Sequence, residues 1–129
     1  MASEQSAKQR TLRIDGNSLT PADVEDVARR RVEHFELDDA ARAAMQGSQQ
    51  RVRELIESGA TVYGVNTGFG HFAGVRVAGD KLEQLQLNLV RSHAVGVGEP
   101  LPLEAVRGLM LLRANVLARG HSGARPRVA

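Results

Sequence analysis

Apolar residues recur at three- and four-residue steps through four stretches of the chain, and the breaks between them carry residues that start and stop helices. Thr20-Pro21 opens the first stretch: threonine is a good N-cap, proline is favoured in a first turn, and Asp23 completes a capping box. Val24, Val27, Ala28 and Val32 form its narrow stripe, which predicts a helix to about Glu33. A second start at Asp38-Asp39 leads into an Ala-rich helical stretch with Val52, Leu55 and Ile56, stopped at Ser58-Gly59, with Gly47 as a weak point inside it. Asp80 reads as the N-cap of a third helix, with Glu83 three residues on and Leu82, Leu85 and Leu89 sharing a face. His93, four residues beyond Leu89, falls on that same stripe and is expected to be buried with it. Gly96 and Gly98 end the pattern. A fourth helix, about Leu103 to Ala118, carries Val106, Leu109, Met110, Val116 and Leu117 and stops at Gly120, and Pro126 marks a further helix opening.

Outside the helices, Thr11-Leu12-Arg13-Ile14 alternates polar and apolar and precedes a turn at Asp15-Gly16-Asn17, so it reads as a short strand. Residues 1–10 show no periodicity and are expected to form a disordered tail, with 11–129 as the folded part. The fold class is mostly α, with one or two short strands near the amino end.

Composition removes several functions. No apolar run approaches the about 18 residues of a membrane span, and the polar start lacks the apolar core of a secretory signal. The chain has no Cys, hence no disulfide, thiolate metal site or thiol nucleophile, and a cytoplasmic location is expected. Net charge is only +2 and aromatics are 3% of residues, so nucleic-acid binding rests on the triplet Arg29-Arg30-Arg31 alone, which reads better as a solvated helix face. His34, His71 and His121 have no metal-ligand spacing.

The segment from Thr61 to Phe72 is β-branched at first and then glycine-studded, a loop rather than a helix. Gly68-Phe69-Gly70-His71-Phe72-Ala73 matches G-x-G-x-x-A, but a dinucleotide site needs a helix opening there and a second parallel strand after it, and neither pattern follows. Gly64, Gly68 and Gly70 suit either a mobile surface loop or a close backbone approach to a ligand. By residue type alone, Tyr63 reads more readily as a buried, hydrogen-bonded tyrosine than as a reactive group. His93 likewise reads first as a satisfied core histidine.

Three ordered strings alter that balance: Tyr63-Gly-Val-Asn-Thr-Gly-Phe-Gly70, then Leu85-Gln-Leu-Asn-Leu-Val-Arg-Ser-His-Ala-Val-Gly-Val-Gly-Glu-Pro100, then Leu111-Leu-Arg-Ala-Asn115 with Gly120-His-Ser-Gly-Ala-Arg125. Together they resemble the amino-terminal part of the aromatic amino acid ammonia-lyase and aminomutase family, and within it the histidine ammonia-lyases, over about residues 11–129. The resemblance implies the helical ammonia-lyase fold, a homotetramer, and no external cofactor, because the family's electrophile is a methylidene-imidazolone made from an internal Ala-Ser-Gly. It implies that the substrate's amino group adds to that electrophile, a β-proton is removed, and ammonia leaves. By the same resemblance Tyr63 is the base, carried on a lid hinged at Gly64, Gly68 and Gly70. A phenol of ordinary pKa, about 10, is mostly protonated at neutral pH, so such a site must favour the phenolate with cationic groups or helix N-termini while the closed lid excludes water. Ser92 and His93 fall where the family selects its substrate, and a histidine there hydrogen-bonds an imidazole or a phenol hydroxyl and not a bare phenyl ring. L-Histidine is therefore the expected substrate, with L-tyrosine, for a tyrosine ammonia-lyase or tyrosine 2,3-aminomutase, as the alternative. Asn115 and Arg125 are expected to organise helix packing and the subunit interface rather than touch substrate.

The chain also departs from the family. It contains no Ala-Ser-Gly: Ala2-Ser3 is followed by Glu4, and Ser58-Gly59 and Ser122-Gly123 are preceded by Glu57 and His121. The expectation is a segment cut before the prosthetic-group site. A second expectation, from a different class, is a non-catalytic assembly module using the stripes Leu82/Leu85/Leu89 and Val106/Leu109/Met110.

Overall fold

The computed structural model describes residues 10–72, 74–75 and 77–129. It is mostly helical: β1 (Thr11–Ile14), α1 (Pro21–Ala28), β2 (His34–Leu37), α2 (Asp39–Glu57), α3 (Leu82–His93) and α4 (Leu103–Ala118). Short 3-10 turns occupy Gly70–Phe72, Gly79–Lys81 and Pro126–Val128. The chain separates into two compact units, one holding the described residues up to Gln49 with Leu101–Ala129, the other Gln50–Pro100.

In the first unit β1 and β2 pair in parallel, Thr11 opposite His34 and Ile14 opposite Leu37, with α1 as the crossover. Leu12, Ile14, Val27, Val32, Ala41, Leu111 and Ala118 form its core. The capping box is present: Thr20 Oγ1 accepts from the Asp23 N–H, and the Asp23 carboxylate accepts from the Thr20 N–H. α1 is shorter than its apolar stripe predicts. It stops at Ala28 because Arg30 takes a left-handed conformation, φ 58°, and the Arg30 and Arg31 N–H groups fold back to the Val27 and Asp26 carbonyls. This is a Schellman closure, usually signalled by glycine, which the arginine hides. The released residues after it supply β2, the strand without a turn residue before it. Of the tail expected over residues 1–10, residues 1–9 lie outside the described residues, and Arg10 donates to Asp23 and Asp26.

Two glycines are required by close approach. A Cβ on Gly16, φ 86°, would sit 2.7 Å from Arg119 Cγ, and one on Gly120, φ 72°, would sit 2.7 Å from the Ala44 carbonyl carbon. Asn115 Oδ1 accepts the Gly16 N–H at 3.0 Å, which ties the β1–α1 turn to α4, and Arg107 donates to the Ala28 carbonyl at 3.1 Å. α2 is continuous from Asp39 to Glu57, and Gly47 inside it faces open space and does not break it. Asp38 Oδ1 accepts the Ala41 N–H and caps it. At Pro126 the expected helix opening is a single 3-10 turn.

In the second unit, Asp80 does not cap α3. It lies inside the 3-10 turn, where the Lys81 N–H already bonds the Ala78 carbonyl, and Lys81 occupies the N-cap position without a side-chain bond. Leu82, Leu85 and Leu89 share a face as predicted but are only half-buried, and His93 is exposed rather than buried.

Candidate functional site

The loop before α3 is tied by its own polar residues. Asn66, 2% exposed, accepts the Val62 N–H at 2.8 Å and donates to the Ala60 carbonyl at 2.7 Å. Thr67, 1% exposed, donates to the Gly68 carbonyl at 2.9 Å and accepts the Gly64 N–H at 3.3 Å. Between these anchors the chain turns, with the Val65 and Asn66 N–H groups on the Val62 carbonyl and Gly64 left-handed at φ 75°. Two further backbone bonds, Gly68 N–H to Val75 and Val77 N–H to Asn66, bind the loop to its returning limb. Neither Asn66 nor Thr67 was assigned a role from the sequence. The signal was a buried-capable amide and hydroxyl among glycines, which need side-chain partners where no ladder satisfies the backbone.

Tyr63 stands on that turn with 64% of its surface exposed, so the buried, hydrogen-bonded tyrosine that its residue type favours is not what forms. Its ring meets Phe69 edge to face, centroids 6.2 Å apart. Phe69 in turn lines an open cleft of about 520 Å³ with Gly68, Val75, Val77 and the α3 residues Leu85, Asn88, Leu89, Ser92 and His93. The structure thus brings Gly68, Ser92 and His93 into one cleft. Tyr63 reaches it through Phe69, while Gly64 and Gly70, φ 56°, lie outside its lining. The walls are mostly apolar, and their polar groups are those of α3. Asn88, bonded to Gln84 at 2.8 Å, is a lining residue that lies in the second of the three family strings without an assigned role. His93 Nδ1 lies 2.9 Å from the Leu89 carbonyl oxygen and 3.0 Å from Ser92 Oγ.

Competing chemistries find little support. The arginine triplet is committed, Arg29 to Glu25, Arg30 to Glu33 and Arg31 to Asp26, and it spans a helix end and a turn rather than one helix face. Only a 3-10 turn follows Gly70, short of the helix a pyrophosphate site requires, and Ala73 of that match lies outside the described residues. No group of three or more acidic, His or Cys side chains suited to a metal ion occurs among the described residues. No helix among them is long and apolar enough to cross a membrane.

A mostly helical chain with a short parallel strand pair near its start matches the amino-terminal part of lyases and aminomutases of aromatic amino acids. The aromatic amino acid lyase family model matches residues 19–129, and the chain belongs to that family. The histidine ammonia-lyase of Geobacillus thermodenitrificans is 51% identical over 116 residues, 88% of this chain and 22% of that protein. Among solved structures, the tyrosine aminomutase of Streptomyces globisporus superposes with a TM-score of 0.85 at 34% identity, covering 92% of this chain and 22% of that one. The histidine ammonia-lyase of Trypanosoma cruzi gives 0.81 at 39% identity, covering 90% and 22%. The chain therefore spans about a fifth of the length of the relatives it matches.

Proposed function

We propose that this chain supplies the amino-terminal part of a cytoplasmic, homotetrameric histidine ammonia-lyase, the enzyme that eliminates ammonia from L-histidine to give urocanate. The observation that carries the reading is the pairing of the Ser92-His93 helix end with the Tyr63 loop in a chain 51% identical to a histidine ammonia-lyase. The family's methylidene-imidazolone supplies the electrophile for the substrate's amino group. It forms from Ala-Ser-Gly, which these 129 residues do not contain and so cannot provide.

What this chain contributes is binding and a proton acceptor. Tyr63, exposed on a turn whose left-handed glycine permits rearrangement, is the acceptor of the β-proton. Gly68 and Gly70 complete the lid's hinge, and its closure excludes water. His93, with Ser92 beside it, bonds the substrate ring in an apolar cleft. L-Tyrosine is the second reading, as substrate of an ammonia-lyase or an aminomutase, favoured by the superposition on a tyrosine aminomutase and by a phenol's capacity to bond His93.

Co-expression with the remainder of the Geobacillus relative, followed by urocanate absorbance, tests the proposal. Restored activity is expected to fall about 10²–10⁴-fold in Tyr63→Phe, the range a placed base contributes. Restored activity indifferent to that change removes Tyr63 as the base.

A further inference from the structure

We propose that the Leu89 carbonyl and the Ser92 hydroxyl are positioning groups that hold His93 in its Nδ1–H tautomer, so that Nε2 meets a ligand in the cleft as a hydrogen-bond acceptor. Nδ1 lies 2.9 Å from the Leu89 oxygen and 3.0 Å from Ser92 Oγ. A carbonyl oxygen has no proton to give, so the contact with Leu89 is a hydrogen bond only when Nδ1 carries the hydrogen. The Ser92 hydroxyl already donates to the same carbonyl at 2.9 Å, which leaves its lone pairs for Nδ1–H. One arrangement satisfies all three contacts: Oγ–H to Leu89, and Nδ1–H shared between Leu89 and Ser92. The opposite tautomer sets two lone pairs against each other across 2.9 Å. In a neutral imidazole, fixing the hydrogen on one nitrogen leaves the other as an acceptor.

The consequence rests on the reading of the cleft as the substrate-ring site. An acceptor at Nε2 takes a ring that donates, through an imidazole N–H or a phenol O–H. A pyridyl ring, which only accepts, is refused along with phenyl, because two acceptors are brought together without a hydrogen between them. The sequence implied only that His93 hydrogen-bonds its ligand; the helix-end geometry sets the direction of that bond.

The test is nitrogen NMR of the His93 ring in the 129-residue chain without ligand, above the pH at which the ring titrates. Nδ1 is expected to be the protonated, pyrrole-type nitrogen and Nε2 the pyridine-type one, the reverse of the preference of a free histidine side chain. Ser92→Ala lowers the Nδ1–H share and Ser92→Thr restores it, with circular dichroism checking that each variant is folded. A wild-type ring mainly in the Nε2–H form overturns the proposal, and a Ser92→Ala spectrum equal to wild type removes the part given to Ser92. A chain that yields no urocanate in the co-expression assay but keeps the Nδ1–H form sinks the functional reading and leaves this inference standing.

Discussion

Asp23 gathers more bonds than any other carboxylate on α1. It accepts from the Thr20 hydroxyl at 2.6 Å, from the Thr20 N–H at 2.9 Å and from the Arg10 guanidinium. Those donors, the Thr20 hydroxyl first, hold its carboxyl below the usual range, and the Ser18 and Asn17 N–H groups do the same for Asp15. A folded-state value below the unfolded one means stability that is present above the unfolded value, about 3.9, and lost as pH falls through the depressed folded value. Urea midpoints should therefore drop steeply below about pH 4, and Asp23→Asn should be less stable at neutral pH but flatter on the acid side. Equal acid slopes for variant and wild type would show that Asp23 contributes nothing to acid unfolding. At this scale the sequence was legible where partners are adjacent. Thr20, Pro21 and Asp23 announce the cap by spacing alone, whereas Arg10 meets Asp23 from 13 residues away, a partnership that only the fold creates, and Arg30 adopts a glycine's conformation that its identity conceals.

The loop between α2 and α3 shows what a motif says and omits. Its glycines and its tyrosine were visible as a string, but the residue that gives the loop a shape is Asn66, whose amide joins Val62 to Ala60 while its carbonyl holds Val77. Asn66→Ala leaves the Val62 N–H and the Ala60 carbonyl without their side-chain partners, a cost of about 1–3 kcal/mol if both stay dry. The loss should be local: limited proteolysis within residues 60–77 accelerates, while the melting of the first unit changes little. Unchanged cleavage would mean that the backbone bonds at Gly68 and Val77 hold the loop unaided. The helices themselves were read well from periodicity, α4 to the residue, because a stripe of apolar positions is a local property. Their ends were read less well, since whether Lys81 or Asp80 caps α3 depends on a 3-10 turn that no spacing rule marks. His93 was placed on the correct face and the wrong depth. Periodicity reports a face, while burial depends on what covers it.

Across the whole molecule, apolar burial is unevenly shared. Leu12, Ile14, Val27, Val32, Ala41, Met45, Leu111, Leu117 and Ala118 are buried, and every one belongs to the first unit. Among the described residues of the second unit the buried ones are Asn66, Thr67 and Gly68, and α3 has no buried residue. Apolar area removed from water contributes about 25 cal/mol per Å², and no apolar side chain among the described residues of the second unit is buried. Local opening there should cost less free energy than unfolding of the first unit. Amide exchange at rising urea is expected to show α3 and the Tyr63 loop reaching free exchange first, with β1, α1 and α4 protected until global unfolding. Loops and lids that move are drawn from the least stable parts of a fold, so the proposed base and ring contact sit where motion is cheapest. Equal protection of α3 and α4 would contradict this partition and remove the physical basis for a lid in residues 60–77.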